Sequence, residues 1–230
     1  LEGAKKQVKQ MIAGLYEEHR YLLSGSLLSE NEKSSFARIS DQMDDIDAAT
    51  AIQKLCGYLY RYYGKKVILL LDEYDTPVQE AYLNGYWDFF TSYIRNFFNA
   101  TFKTNPYMER ALLTGITRIS KESIFSDLNN LNVVTTTSTE YERAFGFTEQ
   151  EVADALAEMG LSAQMEQVKK WYDGFTFGQV RDIYNPWSIT NFLDKKQFRP
   201  YWAATSSNGL VNQLIRTGSG SIKRQMEGLI

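Results

Sequence analysis

The feature that most constrains the fold of this chain is a short aliphatic run, Val67–Leu71, which ends in two adjacent acids, Asp72 and Glu73. Two lysines, Lys65 and Lys66, stand immediately before the run. A short apolar run with charges at both ends is typical of a strand that is buried on both faces of a parallel sheet. The run is also far shorter than the roughly 20 apolar residues of a membrane-spanning helix. We therefore expect a buried parallel strand here.

Further strands and helices follow in an order that favours an α/β fold. An aromatic helix is predicted over Tyr86–Phe102, a second strand over Arg110–Thr117 and a third over Val133–Thr137. Other helices are predicted from apolar spacings of three and four residues and from capping signals. They are Leu1–Leu23, a capped stretch from Ser29, Ala48–Tyr63, Met165–Tyr172, Pro186–Leu193 and Gly209–Arg216.

The β pattern stops after Tyr141, and a second subdomain is predicted from there. Thr148 and Glu151 form a capping-box pair that opens a helix with an apolar stripe. The turns at Asp173-Gly174 and Phe177-Gly178 could hold a small hairpin. We expect an α/β core over residues 1–143 and a mainly helical subdomain over residues 144–230.

Composition excludes several classes of protein. The 230 residues are 43% apolar and 14% aromatic, enough for a substantial core. One cysteine, Cys56, and one histidine, His19, leave no disulfide within the chain and no Cys/His zinc site. The net charge of −3 and the pI near 5.4 give no overall attraction to nucleic acid or to anionic lipid. No signal peptide opens the chain, so we expect a soluble cytoplasmic protein.

Four residues are candidates for phosphate chemistry. Carboxylates that follow a buried parallel strand lie at the sheet edge where such folds bind ligands, and Asp72 and Glu73 fit that position. In such sites the first acid contacts Mg²⁺ and the second orients the attacking water. Thr114 puts a hydroxyl at the end of the second strand, and Arg118 on the following loop is a candidate phosphate-binding cation.

Each of these residues also has a purely structural interpretation. Asp72 could cap the following turn, and Glu73 could be a solvated loop residue. Thr114 could simply complete a turn before Gly115, and Arg118 could be an ordinary surface arginine.

Five segments together resemble the successive motifs of the bacterial AAA-ATPase-like family, which is often joined to a C-terminal PD-(D/E)XK nuclease-like domain. The similarity spans about Ala51 to Ile230, and the joint order of the motifs is specific although each motif alone is not. The segments are V-I-L-L-L-D-E-Y-D-T-P from Val67, L-L-T-G-I-T-R-I-S from Leu112, F-G-F-T-E-Q-E-V from Phe145, W-Y-D-G-F from Trp171 and Y-N-P-W-S-I from Tyr184.

The resemblance implies a partial P-loop NTPase core with flanking helices, followed by a helical lid. By the same matching, Asp72 and Glu73 are the Walker B acids and Thr114 is the sensor on the neighbouring strand. Asn185 and Pro186 belong to the lid element that approaches the nucleotide. ATP and Mg²⁺ are the ligands that the family implies for the full-length parent, together with a protein partner or the nuclease-like domain.

Other residues of the motifs receive structural roles. Asp75 and Pro77 match the D-E-Y-D-x-P pattern, and we expect them to shape the loop. Trp171, Tyr172 and Trp187 are aromatic residues at helical spacing, which predicts that they pack in the lid core.

The chain departs from the family at one point, because no G-x-x-x-x-G-K-[ST] phosphate loop occurs in the 230 residues. We expect the strand that carries it to lie upstream of Leu1, so that the parent hydrolyses ATP while this chain alone is inactive. Two alternatives stay open. One is a non-catalytic interaction or regulatory module of a degenerate NTPase. The other is a metal-dependent nuclease using Asp72, Glu73 and Asp75, although no E-x-K string follows these acids.

Overall fold

The computed structural model describes residues 1–116 and 124–202. The chain divides into two compact units, Leu1–Leu131 and Asn132–Ile230, and each is described by itself. The assignment of residues 1–143 to an NTPase core and of residues 144–230 to a lid stays a prediction. In the described ranges, none of the helices has the length and apolar character needed to cross a bilayer.

The first unit is a two-stranded parallel sheet with helices packed on it. A short 3₁₀ helix, Arg20–Leu23, follows its first α-helix. The α-helices are α1 (Glu2–Glu18), α2 (Glu30–Ala37), α3 (Asp45–Tyr63), α4 (Thr76–Leu83) and α5 (Trp87–Phe102), and the strands are β1 (Val67–Leu71) and β2 (Met108–Leu113).

Local signals in the sequence account for the ends of these helices. The predicted capping box is present, because the Ser29 hydroxyl accepts from the Glu32 N–H while the Glu32 carboxylate accepts from the Ser29 N–H at 2.9 Å. Helix α3 ends at Gly64, whose φ of 66° is the left-handed value that glycine adopts without a side-chain clash. The α-helix predicted over Leu1–Leu23 ends earlier in the structure, at Glu18, and a separate 3₁₀ segment, Arg20–Leu23, follows it.

The Glu32 carboxylate also makes an ion pair with Arg61 at 2.7 Å, which ties α2 to α3. The hydrogen bond from Arg61, followed by the one from the Ser29 backbone, lowers the pKa of Glu32 below its usual 4.5. A lowered folded-state pKa stabilises the protein above the unfolded-state value, and this contribution is lost as the pH falls through the folded-state value. We expect Glu32→Gln to destabilise the protein above about pH 4.5 and to converge on wild type at lower pH.

Urea unfolding of wild type and Glu32→Gln at several pH values measures this difference. The matched background is Arg61→Met, in which Glu32→Gln should have a smaller and flatter effect. A difference that stays constant from neutral pH to well below the usual glutamate pKa would contradict the assignment.

The sheet differs from the prediction in one respect, because β1 is buried on one face only. Val67, Leu69 and Leu71 pack against the core, whereas Ile68 and Leu70 are 56% and 75% exposed. The helices cover one face of the two strands, and alternate side chains point to opposite faces of a sheet. The prediction that this strand is buried on both faces is therefore wrong for the described residues.

The second unit combines helices with a small antiparallel sheet in strand order β3-β5-β4. The predicted hairpin is confirmed, since β4 and β5 pair in antiparallel register across the turn at Gly178. The Thr148 capping box is also present. The elements are β3 (Phe147–Thr148), α6 (Glu149–Glu158), α7 (Met165–Tyr172), β4 (Asp173–Phe177), β5 (Val180–Tyr184) and α8 (Pro186–Lys195), with a 3₁₀ helix at Ser162–Gln164.

The predicted third strand, Val133–Thr137, is wrong. The segment has no strand structure, and its hydroxyl groups bond locally: the Thr135 N–H donates to the Ser138 hydroxyl at 3.0 Å. Hydroxyl side chains offer the backbone such local partners in competition with a ladder, and β-branched residues favour a strand only where a sheet surface is available to them. The predicted helix over Gly209–Arg216 lies outside the described residues.

Candidate functional site

Strands β1 and β2 are adjacent and parallel, as predicted, and their last residues, Leu71 and Leu113, are paired. Parallel pairing brings the carboxyl ends of both strands to the same edge of the sheet. Asp72 and Glu73 leave β1 at this edge, and Thr114 leaves β2 beside them. The structure therefore brings together three of the residues that the sequence singled out. We call Asp72, Glu73 and Thr114 the acidic edge.

Backbone hydrogen bonds continue beyond the strand ends and fix the acidic edge. The Thr114 N–H donates to the Leu71 carbonyl at 2.9 Å, and the Tyr74 N–H donates to the Thr114 carbonyl at 3.0 Å. The Thr114 hydroxyl donates to Oδ1 of Asp72, and the Glu73 N–H donates to the same oxygen at 3.0 Å. The orientation of the Asp72 carboxylate is thus set by groups from both loops.

Glu73 has an unusual backbone conformation, with a φ of 51°. The left-handed region costs a non-glycine residue about 1–3 kcal/mol, so surrounding contacts must hold it there. Thr76 supplies two of them: its N–H donates to the Glu73 carbonyl at 3.1 Å, and its hydroxyl lies 3.4 Å from a Glu73 carboxylate oxygen. The sharp turn places Glu73 directly beside Asp72 at the end of the strand and leaves both residues exposed.

The acidic edge has too few protein ligands to bind a metal by itself. Within residues 1–116 and 124–202, no group of three or more His, Cys, Asp or Glu side chains could hold a metal ion. Oδ2 of Asp72 has no hydrogen-bond partner among these residues. One exposed carboxylate with an available oxygen is the arrangement in which Mg²⁺ takes its other ligands from water and substrate phosphates.

Asp75 lies beneath the acidic edge rather than in it. It is 1% exposed, and its Oδ2 accepts from Nε2 of Gln79 at 2.7 Å. Asp75 also lies against Gly115, where a Cβ would overlap the Asp75 carboxylate. The sequence places Asp75 and Gly115 in two separate motifs and does not show that they touch. Because Asp75 is buried apart from Asp72 and Glu73, the three acids do not form the cluster that the nuclease alternative requires.

The structure does not test the other three predicted site residues as part of the acidic edge. Arg118 is outside the described residues. Asn185 and Pro186 belong to the second unit, where they begin helix α8. The Asn185 side-chain oxygen accepts from the Ser188 N–H at 3.0 Å, and Pro186 occupies the first helical turn. Asparagine and proline are favoured at these two positions, which gives both residues a local structural role. Their approach to a nucleotide stays a prediction.

The hairpin β4–β5 leads directly into Asn185. At its base Asp173 pairs in register with Tyr184, and burial raises the pKa of the Asp173 carboxyl, with a further contribution from its hydrogen bond to Asp182. Tyr172 is buried as predicted, but Trp171 and Trp187 are 45% and 56% exposed. The prediction that both tryptophans pack in the core is therefore wrong for the described part of the unit. The Trp171 ring lies at the margin of the core, where it contacts the rings of Tyr172 and Phe198 at centroid distances of 6.3 and 6.0 Å but stays about half exposed.

The described part of the first unit is thus an α/β arrangement with adjacent acids at the carboxyl edge of two parallel strands. Comparison with known proteins gives the family. The family model described as "Predicted AAA-ATPase" matches residues 10–125, half of the chain, so the chain belongs to this family and contains an AAA-ATPase-like domain.

A relative comes from Azotobacter chroococcum mcd 1 and carries the description "Uncharacterized protein in vnfD 5'region". It is 30% identical over 154 residues, which cover 66% of this chain and 29% of the relative. The matched region is thus less than a third of the relative's length. No solved structure matches the chain.

Proposed function

We propose that the acidic edge serves ATP hydrolysis, with Asp72 as the Mg²⁺ ligand, Glu73 as the residue that orients the attacking water and Thr114 as the sensor of the terminal phosphate. The observation that carries the proposal is the shared edge of two parallel strands, where the Thr114 hydroxyl bonds the Asp72 carboxylate. Membership of the AAA-ATPase-like family supports it.

The exposed carboxylates fit Mg²⁺, which binds proteins through one or two carboxylates and keeps waters and phosphates as its other ligands. When bound, this ion would neutralise charge that develops on the phosphates. Among the residues of the chain, Asp72 would hold the ion through its carboxylate, and Glu73 would accept a hydrogen bond from the attacking water and draw its proton. In the proposal, Asn185, Pro186 and Arg118 also contribute to nucleotide binding.

ATP binding by the 230-residue chain is expected to be weak. The chain contains no G-x-x-x-x-G-K-[ST] loop, and such loops supply most of the hydrogen bonds to a triphosphate, each contributing about 1.5–3 kcal/mol because the acceptor is charged. Calorimetry with Mg²⁺ and ATP measures the affinity, and phosphate release measures turnover. We expect no turnover and no micromolar binding for this chain.

The full-length gene product, assayed in parallel, should bind Mg-ATP and hydrolyse it. Micromolar affinity of the 230-residue chain would show that the triphosphate is held by other groups than those proposed. Failure of the full-length protein to bind ATP at all would favour the alternative, a non-catalytic interaction module.

A further inference from the structure

Asp75 occupies a position at which an aspartate usually caps a helix, yet it does not cap helix α4. It is the residue before Thr76, and its side chain makes no hydrogen bond to the N–H groups of the first turn. Aspartate at this position normally accepts from those groups, which stabilises the helix. The Asp75 side chain instead lies in the interior, 1% exposed, and accepts from Gln79.

The buried Asp75 carboxylate lies directly against Gly115. A Cβ added at Gly115 would overlap the Asp75 carboxylate and would come within 2.9 Å of the Tyr74 ring. Real Cβ atoms do not approach other atoms this closely, so the loop after β2 can lie here only because residue 115 has no side chain. The loops that follow β1 and β2 therefore meet where the buried Asp75 carboxylate lies against the backbone of Gly115.

The neighbouring residue, Thr114, is held by hydrogen bonds with the end of β1 and with the loop that follows it. Its N–H donates to Leu71 and its carbonyl accepts from Tyr74, at 2.9 and 3.0 Å. Thr114 is thus hydrogen-bonded to Leu71 and Tyr74, while the next residue, Gly115, lies against the Asp75 carboxylate. The hydroxyl of the same Thr114 bonds Oδ1 of Asp72.

We propose that Asp75, seated against Gly115, is a positioning residue that holds the Thr114 hydroxyl against Asp72 and so orients the Asp72 carboxylate for its metal. The role of the Asp72 carboxylate as a metal ligand rests on the proposed function. The contact between Asp75 and Gly115 and its effect on Thr114 do not. Asp75 touches neither substrate nor metal in this account, and it acts through the Thr114–Gly115 peptide.

The test is a double-mutant cycle with Asp75→Ala and Gly115→Ala in the full-length protein, with Asp75→Asn as a variant of nearly unchanged volume. Hydrogen exchange of peptides that contain Thr114 reports the local contact without any nucleotide. We expect each alanine variant to speed this exchange about tenfold and Asp75→Asn less. Because both changes act on one contact, the double variant should also reach about tenfold rather than the hundredfold of independent sites.

Peptides from helix α3 give the control for general destabilisation, and their exchange should be unchanged. Glu80→Ala, which removes an exposed acid from the same helix as Gln79, should leave every readout at its wild-type value. Effects that multiply in the double variant, equal acceleration in α3, or no acceleration in Asp75→Ala would each overturn the proposal.

A second readout links the contact to the metal. The Mg²⁺ concentration for half-maximal ATP hydrolysis should rise about tenfold in Asp75→Ala and Gly115→Ala, a shift that loss of folded protein alone does not cause. Unchanged Mg²⁺ dependence together with faster exchange at Thr114 would overturn the proposed link to the metal. If the wild-type protein does not hydrolyse ATP, the proposed function fails, while the exchange experiment still decides whether Asp75 positions Thr114.

Discussion

Replacement of Asp72 by alanine is expected to remove the magnesium-dependent part of ATP binding by the full-length protein. The Asp72 carboxylate is exposed, and its orientation is fixed by hydrogen bonds from Thr114 and Glu73. Loss of one charged partner typically costs about 1.5–3 kcal/mol, which corresponds to about a 10- to 150-fold weaker affinity.

Calorimetry with and without Mg²⁺ measures this effect. The variant should bind Mg-ATP no more tightly than wild type binds ATP when a chelator has removed the Mg²⁺. The matched control is Asp88→Ala, which removes an exposed aspartate from the start of helix α5. A variant that keeps the full Mg²⁺ enhancement of wild type would show that the metal ligand lies elsewhere.

Replacement of Glu73 by glutamine is expected to separate ATP binding from ATP hydrolysis. The amide keeps the size of the side chain and can still accept the hydrogen bond from Thr76, so the turn at Glu73 should persist. An amide cannot draw a proton from water as a carboxylate does, and loss of such a group costs about 10²–10⁴-fold in rate. The affinity for Mg-ATP should stay within about twofold of wild type.

The control for Glu73→Gln is Glu80→Gln, the same chemical change at an exposed position on helix α4. It should hydrolyse ATP at the wild-type rate. Equal losses of binding and turnover in Glu73→Gln would indicate instead that the turn between β1 and α4 had collapsed.

Local sequence signals predicted most of the described helices, although helix α4, Thr76–Leu83, was not predicted. The two capping boxes, Ser29 with Glu32 and Thr148 with Glu151, lie where the residue spacing indicates, because the groups that form them are only three residues apart. The pairing of β1 with β2 was also predictable, since buried strands joined by a helical crossover pair in parallel. These features depend on neighbours in the chain or on a general rule of topology.

Features that depend on tertiary surroundings were not predictable in this way. Val133–Thr137 has the residue types of a strand, but the described structure gives it local hydroxyl bonds instead. Ile68 and Leu70 are exposed, although they belong to a continuous apolar run. Whether a face of a sheet is covered depends on other elements of the fold, and the sequence of the strand alone does not show it.

The acidic edge could be predicted in part from the sequence. Asp72, Glu73 and Thr114 follow hydrophobic strands, so their common edge follows from parallel pairing. The contact between Asp75 and Gly115 joins residues far apart in the chain, and an aspartate before a helix is ordinarily interpreted as a cap. Only the three-dimensional arrangement of the two loops reveals that this carboxylate is turned inward.

The most direct test of the central claim is the release of phosphate from ATP by the full-length protein, with and without Mg²⁺, in wild type and in Glu73→Gln. The proposed function predicts Mg²⁺-dependent release by wild type and a rate about 10²–10⁴-fold lower in the variant, with ATP still bound. Release by Glu73→Gln at the wild-type rate would contradict it, because the acidic edge would then not be where the attacking water is activated.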